Sequence, residues 1–252
     1  VPFSLLADRV LCNGGRGYKE FVRELDEHLE ALTPSVLHQR LTAGDFKDVL
    51  TTNYDLTLEK AAGVSRKCCA NHGWAKETKY SQFRHVRCPN GVRVWHVHGA
   101  ITHPDSLLLG YGRYAGYLQV MRQTMAEERP YRGETFGPWP RLVKREPPIV
   151  WPGIVFSHDL LVLGLGMDFA ETHLWWLLAY RAEKRNGNDR LPPPENSIVY
   201  VWNVAGDPTP RHQARARQLR AFGVRVVERT WHGDDWSAGY MEVLDEFASG
   251  SL

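Results

Sequence analysis

Two residues in this chain stand where they could make and break bonds. Asn53 closes the run Val49-Leu50-Thr51-Thr52-Asn53-Tyr54-Asp55, and His98 lies near the end of Val92-Arg93-Val94-Trp95-His96-Val97-His98-Gly99. An asparagine at a strand end offers a ligand both a donor and an acceptor. A histidine titrates near neutrality and can take a proton from a hydroxyl or a water; Gly99 beside it permits close backbone approach. Each has a plainer reading, since asparagine suits a turn and a lone histidine is often structural. Asp55 is open in the same way: it is placed to cap the helix that starts at Leu56, or to face a ligand. Two further strand ends carry ligand-type groups. Leu160-Leu161-Val162-Leu163 runs into Gly164-Leu165-Gly166-Met167-Asp168, whose glycines let backbone amides approach a ligand, and Ile198–Val204 holds Asn203 near its end.

The elements that must position these residues follow from periodicity. Tyr18, Phe21, Val22, Leu25, Leu29 and Leu32 recur at helical spacing over 15–32, and Thr33-Pro34 stops that helix. Asn13-Gly14-Gly15-Arg16-Gly17 before it is either a plain turn or a phosphate cradle at a helix N-terminus. A short helix is expected over Val36–Leu41, a strand over Phe46–Leu50, a helix over Leu56–Ala62 and a strand over Val92–His98. Tyr114, Tyr117, Leu118, Met121 and Met125 form one helical stripe. Then come a buried strand at Leu160–Leu163, a helix over Thr172–Lys184, a strand at Ile198–Val204, a basic helix over Arg211–Phe222 closed by Gly223, a strand at Val224–Val227 and a last helix over Asp235–Phe247. Strands alternating with helices imply an α/β fold with a Rossmann-like parallel sheet and helices on both faces. In such a sheet ligands bind at the carboxyl ends of the strands, so all four polar strand ends are expected along one edge. The chain reads as a single α/β domain over 1–252, with an insertion at about 64–92 and a long loop at about 126–153.

Composition narrows the function. The 252 residues are 43% hydrophobic and 24% charged, with a net charge of +2, so no basic field for nucleic acid is implied. Cys12, Cys68, Cys69 and Cys88 show no spaced disulfide framework, and a reducing, cytoplasmic setting is expected. Cys69-x-x-His72 and His85-x-x-Cys88 make one Cys2His2 combination, but the two tight CxxC pairs of a structural zinc site are absent, and no metal is expected. No apolar run reaches the ~20 residues of a membrane span, and no signal-peptide pattern is seen. Val1 in place of Met leaves room for an upstream segment.

Four motifs in order resemble the sirtuin superfamily, specifically its bacterial sirtuin-like NAD-hydrolysing defence and toxin domains. Thr52-Asn53-Tyr54-Asp55 is similar to the family's Asn-x-Asp motif, and Val97-His98-Gly99 to its catalytic His-Gly. Gly164-Leu165-Gly166 is similar to its Gly-rich loop, and Val201-Trp202-Asn203 to its strand ending in Asn. The likeness covers about residues 40–230. It implies an NAD glycohydrolase, with NAD as substrate, acting as an NAD-depleting defence or toxin effector. Asn53 would orient a water and the nicotinamide ribose, and His98 would contact the ribose hydroxyls and act as base. Asp55 would help hold the nicotinamide pocket, Thr51 and Thr52 would bind NAD, and Gly164, Gly166 and Asn203 would line the adenosine side. Such domains imply an activating or immunity protein partner and a homo-oligomer. The alternatives are a sirtuin-type protein deacylase or ADP-ribosyltransferase, or a non-catalytic NAD or ADP-ribose sensor. Gly166 stands where the family has Ser. The family's Gly-Ala-Gly loop has only the 13–17 stretch to match it, and its zinc ribbon after the catalytic His is missing. Tyr54 and the missing ribbon favour NAD hydrolysis over deacylation.

Overall fold

The computed structural model describes residues 15–69, 77, 79–126, 130–131, 134–135, 150–187, 193–204, 209–232 and 236–252. The chain divides into two compact units, Val1–Met121 with Ile149–Trp151, and Arg122–Pro148 with Pro152–Leu252. Among the described residues no helix is long and apolar enough to cross a membrane.

In the first unit, α1 (Gly15–Glu30) and α2 (Val36–Leu41) precede β1 (Asp48–Thr51). Then come α3 (Thr57–Ala61), α4 (Arg66–Cys69), β2 (Val86–Arg87), β3 (Arg93–His96) and the start of α5 (Tyr111–Met125). The stripe read from the sequence of α1 is the face that packs: Tyr18, Phe21, Val22, Leu25 and Leu29 gather with Leu56, Cys69, Val86, Ile101, Leu107 and Leu109. A second cluster under the sheet holds Val49, Leu58, Cys88, Val92 and Val94. The sheet runs β1-β3-β2, with β1 and β3 parallel and in the register Asp48↔Arg93 to Thr51↔His96. At the amino end of that register the buried Asp48 carboxylate accepts two hydrogen bonds from Arg93, both 2.6 Å, and one from the Trp95 indole at 2.7 Å. A one-residue slip of β1 against β3 would separate this pair, and breaking a buried ion pair costs ~3–5 kcal/mol, so the clamp fixes the register. The antiparallel edge strand β2 lies inside the stretch expected as a polar insertion.

In the second unit, β4 (Pro130–Tyr131) pairs with β5 (Glu134–Thr135) as a short antiparallel ribbon. A parallel sheet of order β6-β7-β8 follows, from β6 (Leu160–Val162), β7 (Ile198–Asn203) and β8 (Arg225–Arg229). Its helices are α6 (Trp151–Ser157), which begins at the last residue of the first unit, α7 (Thr172–Asn186), α8 (Pro210–Ala221) and α9 (Ser237–Ala248). Val199 and Val201 of β7 pack with Val243 of α9 at the centre of this core.

The mixed α/β class with parallel sheet pairing is as expected. Three readings of the sequence change. Among the described residues the four polar strand ends fall in two sheets: those at Asn53 and His98 follow β1 and β3, those at Gly164 and Asn203 follow or end β6 and β7. β6, expected to be buried on both faces, is half-buried along its length, and among the described strands it lies at the edge of its sheet. The tail of the expected long loop contains α6, whose second residue, Pro152, has the fixed φ that suits a first helical turn. Asn13 and Gly14 of the glycine stretch, Cys12, His72, and residues 136–149 of the long loop lie outside the described residues.

Candidate functional site

The carboxyl ends of β1 and β3 lie side by side, because Thr51 is paired with His96. The two segments leaving them remain stitched together. The Val97 N–H donates to the Thr51 carbonyl at 2.8 Å, and the Ile101 N–H donates to the Tyr54 carbonyl at 2.9 Å. A third segment joins them, since the Leu108 N–H donates to the His98 carbonyl at 2.9 Å and the Tyr54 hydroxyl donates to the Leu108 carbonyl at 3.0 Å. Residues 51–55, 97–101 and 107–109 thus form one framework without being strands beyond Thr51 and His96.

Asn53 is exposed on this framework. Its backbone N–H donates to the Thr51 hydroxyl at 3.1 Å, which turns the chain out of β1. Its side-chain amide carries no hydrogen bond among the described residues and faces solvent with donor and acceptor uncommitted. Thr51 and Thr52 are half-buried; the Thr51 hydroxyl is used in the turn. Asp55 is buried, and its Oδ1 accepts from the Thr57 N–H at 2.9 Å and from the Thr57 hydroxyl. Asp55 lies one position before the N-cap, Leu56, and that carboxylate oxygen is taken up by Thr57, the first residue of α3.

His98 lies two residues past the end of β3. It is buried, and its ring meets Tyr114 edge-on with centroids 5.7 Å apart. The glycine after it is required: Gly99 has φ +87, and a Cβ there would run into the Ser106 carbonyl and hydroxyl. That close approach bends the chain after His98 back towards the Leu107–Leu109 segment.

Two residues beneath Asn53 were not singled out by sequence reasoning. His96 is 4% exposed and Glu59 is fully buried. The His96 Nδ1 lies 2.9 Å from the Asn53 carbonyl oxygen, and its Nε2 lies 2.8 Å from Glu59 Oε1. Burial pushes the His96 ring down, but the Glu59 charge and hydrogen bond, with the Asn53 carbonyl, outweigh it and hold the ring above its ordinary value. The available signal was an ionisable residue on each of two otherwise apolar faces: His96 in line with Val92 and Val94, and Glu59 beside Leu56 and Leu58.

The cysteine and histidine candidates sit in surroundings of another kind. Cys69 and Cys88 are buried free thiols, and burial first, then the Glu59 charge, pushes them up to about 12 and about 11. Thiols held that far from ionisation are poor nucleophiles. His85 packs on Trp95 with centroids 4.4 Å apart.

In the second unit, Gly164 (φ +64) opens the loop after β6. The carbonyls of this loop are tied back: Leu165 accepts from the Tyr200 hydroxyl at 2.5 Å, Gly166 from Arg215, and Asp168 from the Trp175 indole at 3.0 Å. The N–H groups of Gly164, Leu165 and Gly166 have no partner among the described residues, and both glycines are exposed. Tied carbonyls with free amides suit an anionic or ribose oxygen. Asn203 is used within its own unit: its amide donates to the Trp231 carbonyl at 3.2 Å and its oxygen accepts from the Trp231 N–H at 2.8 Å.

Compared with known proteins, the SIR2-like domain matches residues 47–226 of the chain. No curated protein matches it.

Proposed function

This chain belongs to the SIR2-like domain family, which carries NAD-related activity, and from that membership we propose that it is an NAD glycohydrolase, cleaving NAD to nicotinamide and ADP-ribose. The observation that carries the reading is the uncommitted Asn53 amide at the end of β1, beside the parallel strand that leads to His98. Breaking the bond between nicotinamide and ribose leaves positive charge on the ribose carbon. The Asn53 side-chain oxygen offers that charge a dipole, and the amide can orient a water towards the same carbon. In the balanced step the water oxygen bonds to the ribose carbon as the carbon–nitrogen bond breaks. The electron pair of that bond goes to the nicotinamide nitrogen, which loses its positive charge, and the water proton passes to His98. No metal is needed for any of these transfers.

The loop at Gly164 and Gly166 supports the reading through its free amides, which fit ribose or phosphate oxygens of a dinucleotide. Thr51, Thr52, Asp55 and Asn203 are assigned to binding. Asp55 and Asn203 would act mainly by shaping backbone, through Thr57 and Trp231. The role as an NAD-depleting defence or toxin effector, with an activating or immunity partner, is inferred from the motif likeness alone, while Tyr54 and the lack of two CxxC pairs after His98 favour hydrolysis over deacylation.

Incubation of the pure chain with NAD, with products resolved by chromatography, tests the activity. Nicotinamide and ADP-ribose should appear in equal amounts, and Asn53→Ala or His98→Ala should each lower kcat by about a hundredfold or more. Turnover only with an acylated peptide would replace hydrolysis with deacylation, and binding without turnover would make the chain a sensor.

A further inference from the structure

We propose that His96 and Glu59 are positioning residues for the reaction: the pair holds the backbone of Asn53 so that its side chain stands ready at the end of β1. The inference rests on the functional reading above for its consequence in catalysis, and on the geometry alone for the hold itself.

The protons decide how the pair works. A backbone carbonyl has none to give, so at the 2.9 Å contact it is His96 Nδ1–H that donates to the Asn53 oxygen. The opposite ring nitrogen, Nε2, then shares one proton with Glu59 Oε1 across 2.8 Å. Both contacts are met only when a second proton lies between Nε2 and Glu59, because a neutral ring beside an ionised Glu59 would carry its only proton on Nε2 and have no donor left for the carbonyl. The arrangement spans three elements. Glu59 lies on α3, His96 ends β3, and Asn53 follows β1, so one ring ties the turn out of β1 to the helix that the turn leads into.

Stability does not explain the pair. Glu59 is fully buried, and its second oxygen, Oε2, has no partner among the described residues. Desolvating two ionisable groups and leaving an oxygen unsatisfied is costly, and replacing such a pair by apolar side chains is often neutral or stabilising. What apolar residues could not supply is a donor aimed at the Asn53 carbonyl. The Asn53 side chain is exposed and makes no hydrogen bond among the described residues, so its position depends on its backbone. Backbone contacts on the two sides of Asn53 differ: its N–H is held by the Thr51 hydroxyl, and its carbonyl by His96.

The test uses the full chain and three variants. The double variant Glu59→Leu with His96→Leu removes the pair without stranding either member, so it should fold with a melting temperature near that of the parent. In it, kcat for NAD cleavage should fall about tenfold or more, as expected for a misplaced reacting group. KM should change by less than about threefold, the split that marks loss of an interaction realised in the transition state. Glu59→Gln, whose amide can donate to Nε2 and leave the proton on Nδ1, should stay within about threefold of the parent in both constants. Glu59→Leu alone leaves Nε2 without its partner while Nδ1 can still donate to Asn53, and should fall between Glu59→Gln and the double variant. Deuterium exchange over residues 51–56 should quicken in the double variant and not in Glu59→Gln.

A folded double variant with parental kcat and parental exchange overturns the proposal. If the parent does not cleave NAD, the functional reading falls and the exchange measurement still decides the hold. If the double variant does not fold, the ring-nitrogen spectrum of 15N-histidine-labelled parent decides it: a protonated Nδ1 on His96 is expected, and a bare Nδ1 refutes the hold.

Discussion

A half-buried ring can couple folding to pH far from any chemistry, and His85 is placed to do so. Burial, then the nearby Arg93 charge, lowers it to about 4 from an ordinary value of 6.5. A histidine lowered by folding contributes stability that is fully present above its unfolded value and is lost as pH falls through its folded one. The window is therefore about pH 6.5 down to about 4, and the loss, discounted for the partial exposure of the ring, is about 2–3 kcal/mol. Urea midpoints measured across that range should fall on the acid side, and His85→Phe, which keeps the stack on Trp95, should flatten that limb. At this scale the sequence was partly legible. Asn53 and His98 stand out because their types are unusual at strand ends. His96 and Glu59 do not, because the meaning of a buried ionisable residue depends on what faces it 37 residues away in the chain.

At the scale of elements, the loop after β6 shows how neighbours prepare a binding surface. Tyr200 on β7 and Arg215 on α8 hold the Leu165 and Gly166 carbonyls, which keeps the three free N–H groups on the outer side. Tyr200→Phe deletes one hydroxyl and leaves the ring. The loss of one neutral hydrogen bond, about 1 kcal/mol, should raise KM for NAD by about fivefold with kcat little changed, measured by steady-state kinetics. Equal losses in kcat would place the loop in the chemical step instead. The elements themselves were readable where period and punctuation agree. Val36–Leu41 follows from its spacing and from Gly44 (φ +117) beyond it, and α8 from Gly223 (φ +74) after its end, whereas its cap, Thr209, shows only in the structure. Reading failed where a cue has two meanings. Pro152 suits a connection as well as a first helical turn and opens α6, and Val86–Arg87 is too short to show alternation, so only its pairing with β3 makes it a strand.

For the whole molecule, the sequence carried the class but not the partition. Alternating strands and helices state that parallel pairing occurs; they do not state which strands pair, because that depends on contacts between distant segments. Here the described strands form one parallel pair with an antiparallel edge in the first unit and a wholly parallel sheet in the second. A ligand that binds only the folded chain should stabilise it as a whole. With Asn53→Ala used to prevent turnover, NAD at a hundred times its dissociation constant should add about 2.7 kcal/mol to folding stability, read as a rise in Tm by scanning calorimetry. An unchanged Tm, in a chain whose parent also leaves NAD intact, would remove the dinucleotide from the account.

The segment Leu107-Leu108-Leu109 has a consequence of another kind. These side chains are all but fully buried, yet they belong to no strand, and Leu108 is held on both sides of its peptide by His98 and Tyr54. While the chain is being synthesised, those two partners emerge first and the leucines follow, so the triplet has somewhere to dock as soon as it appears. A lesion that disturbs the framework around Asn53 and His98 would leave a sticky apolar triplet without its dock. Such lesions would then be felt as self-association of nascent chains and as low yield of folded protein, before any deficit in turnover could be measured.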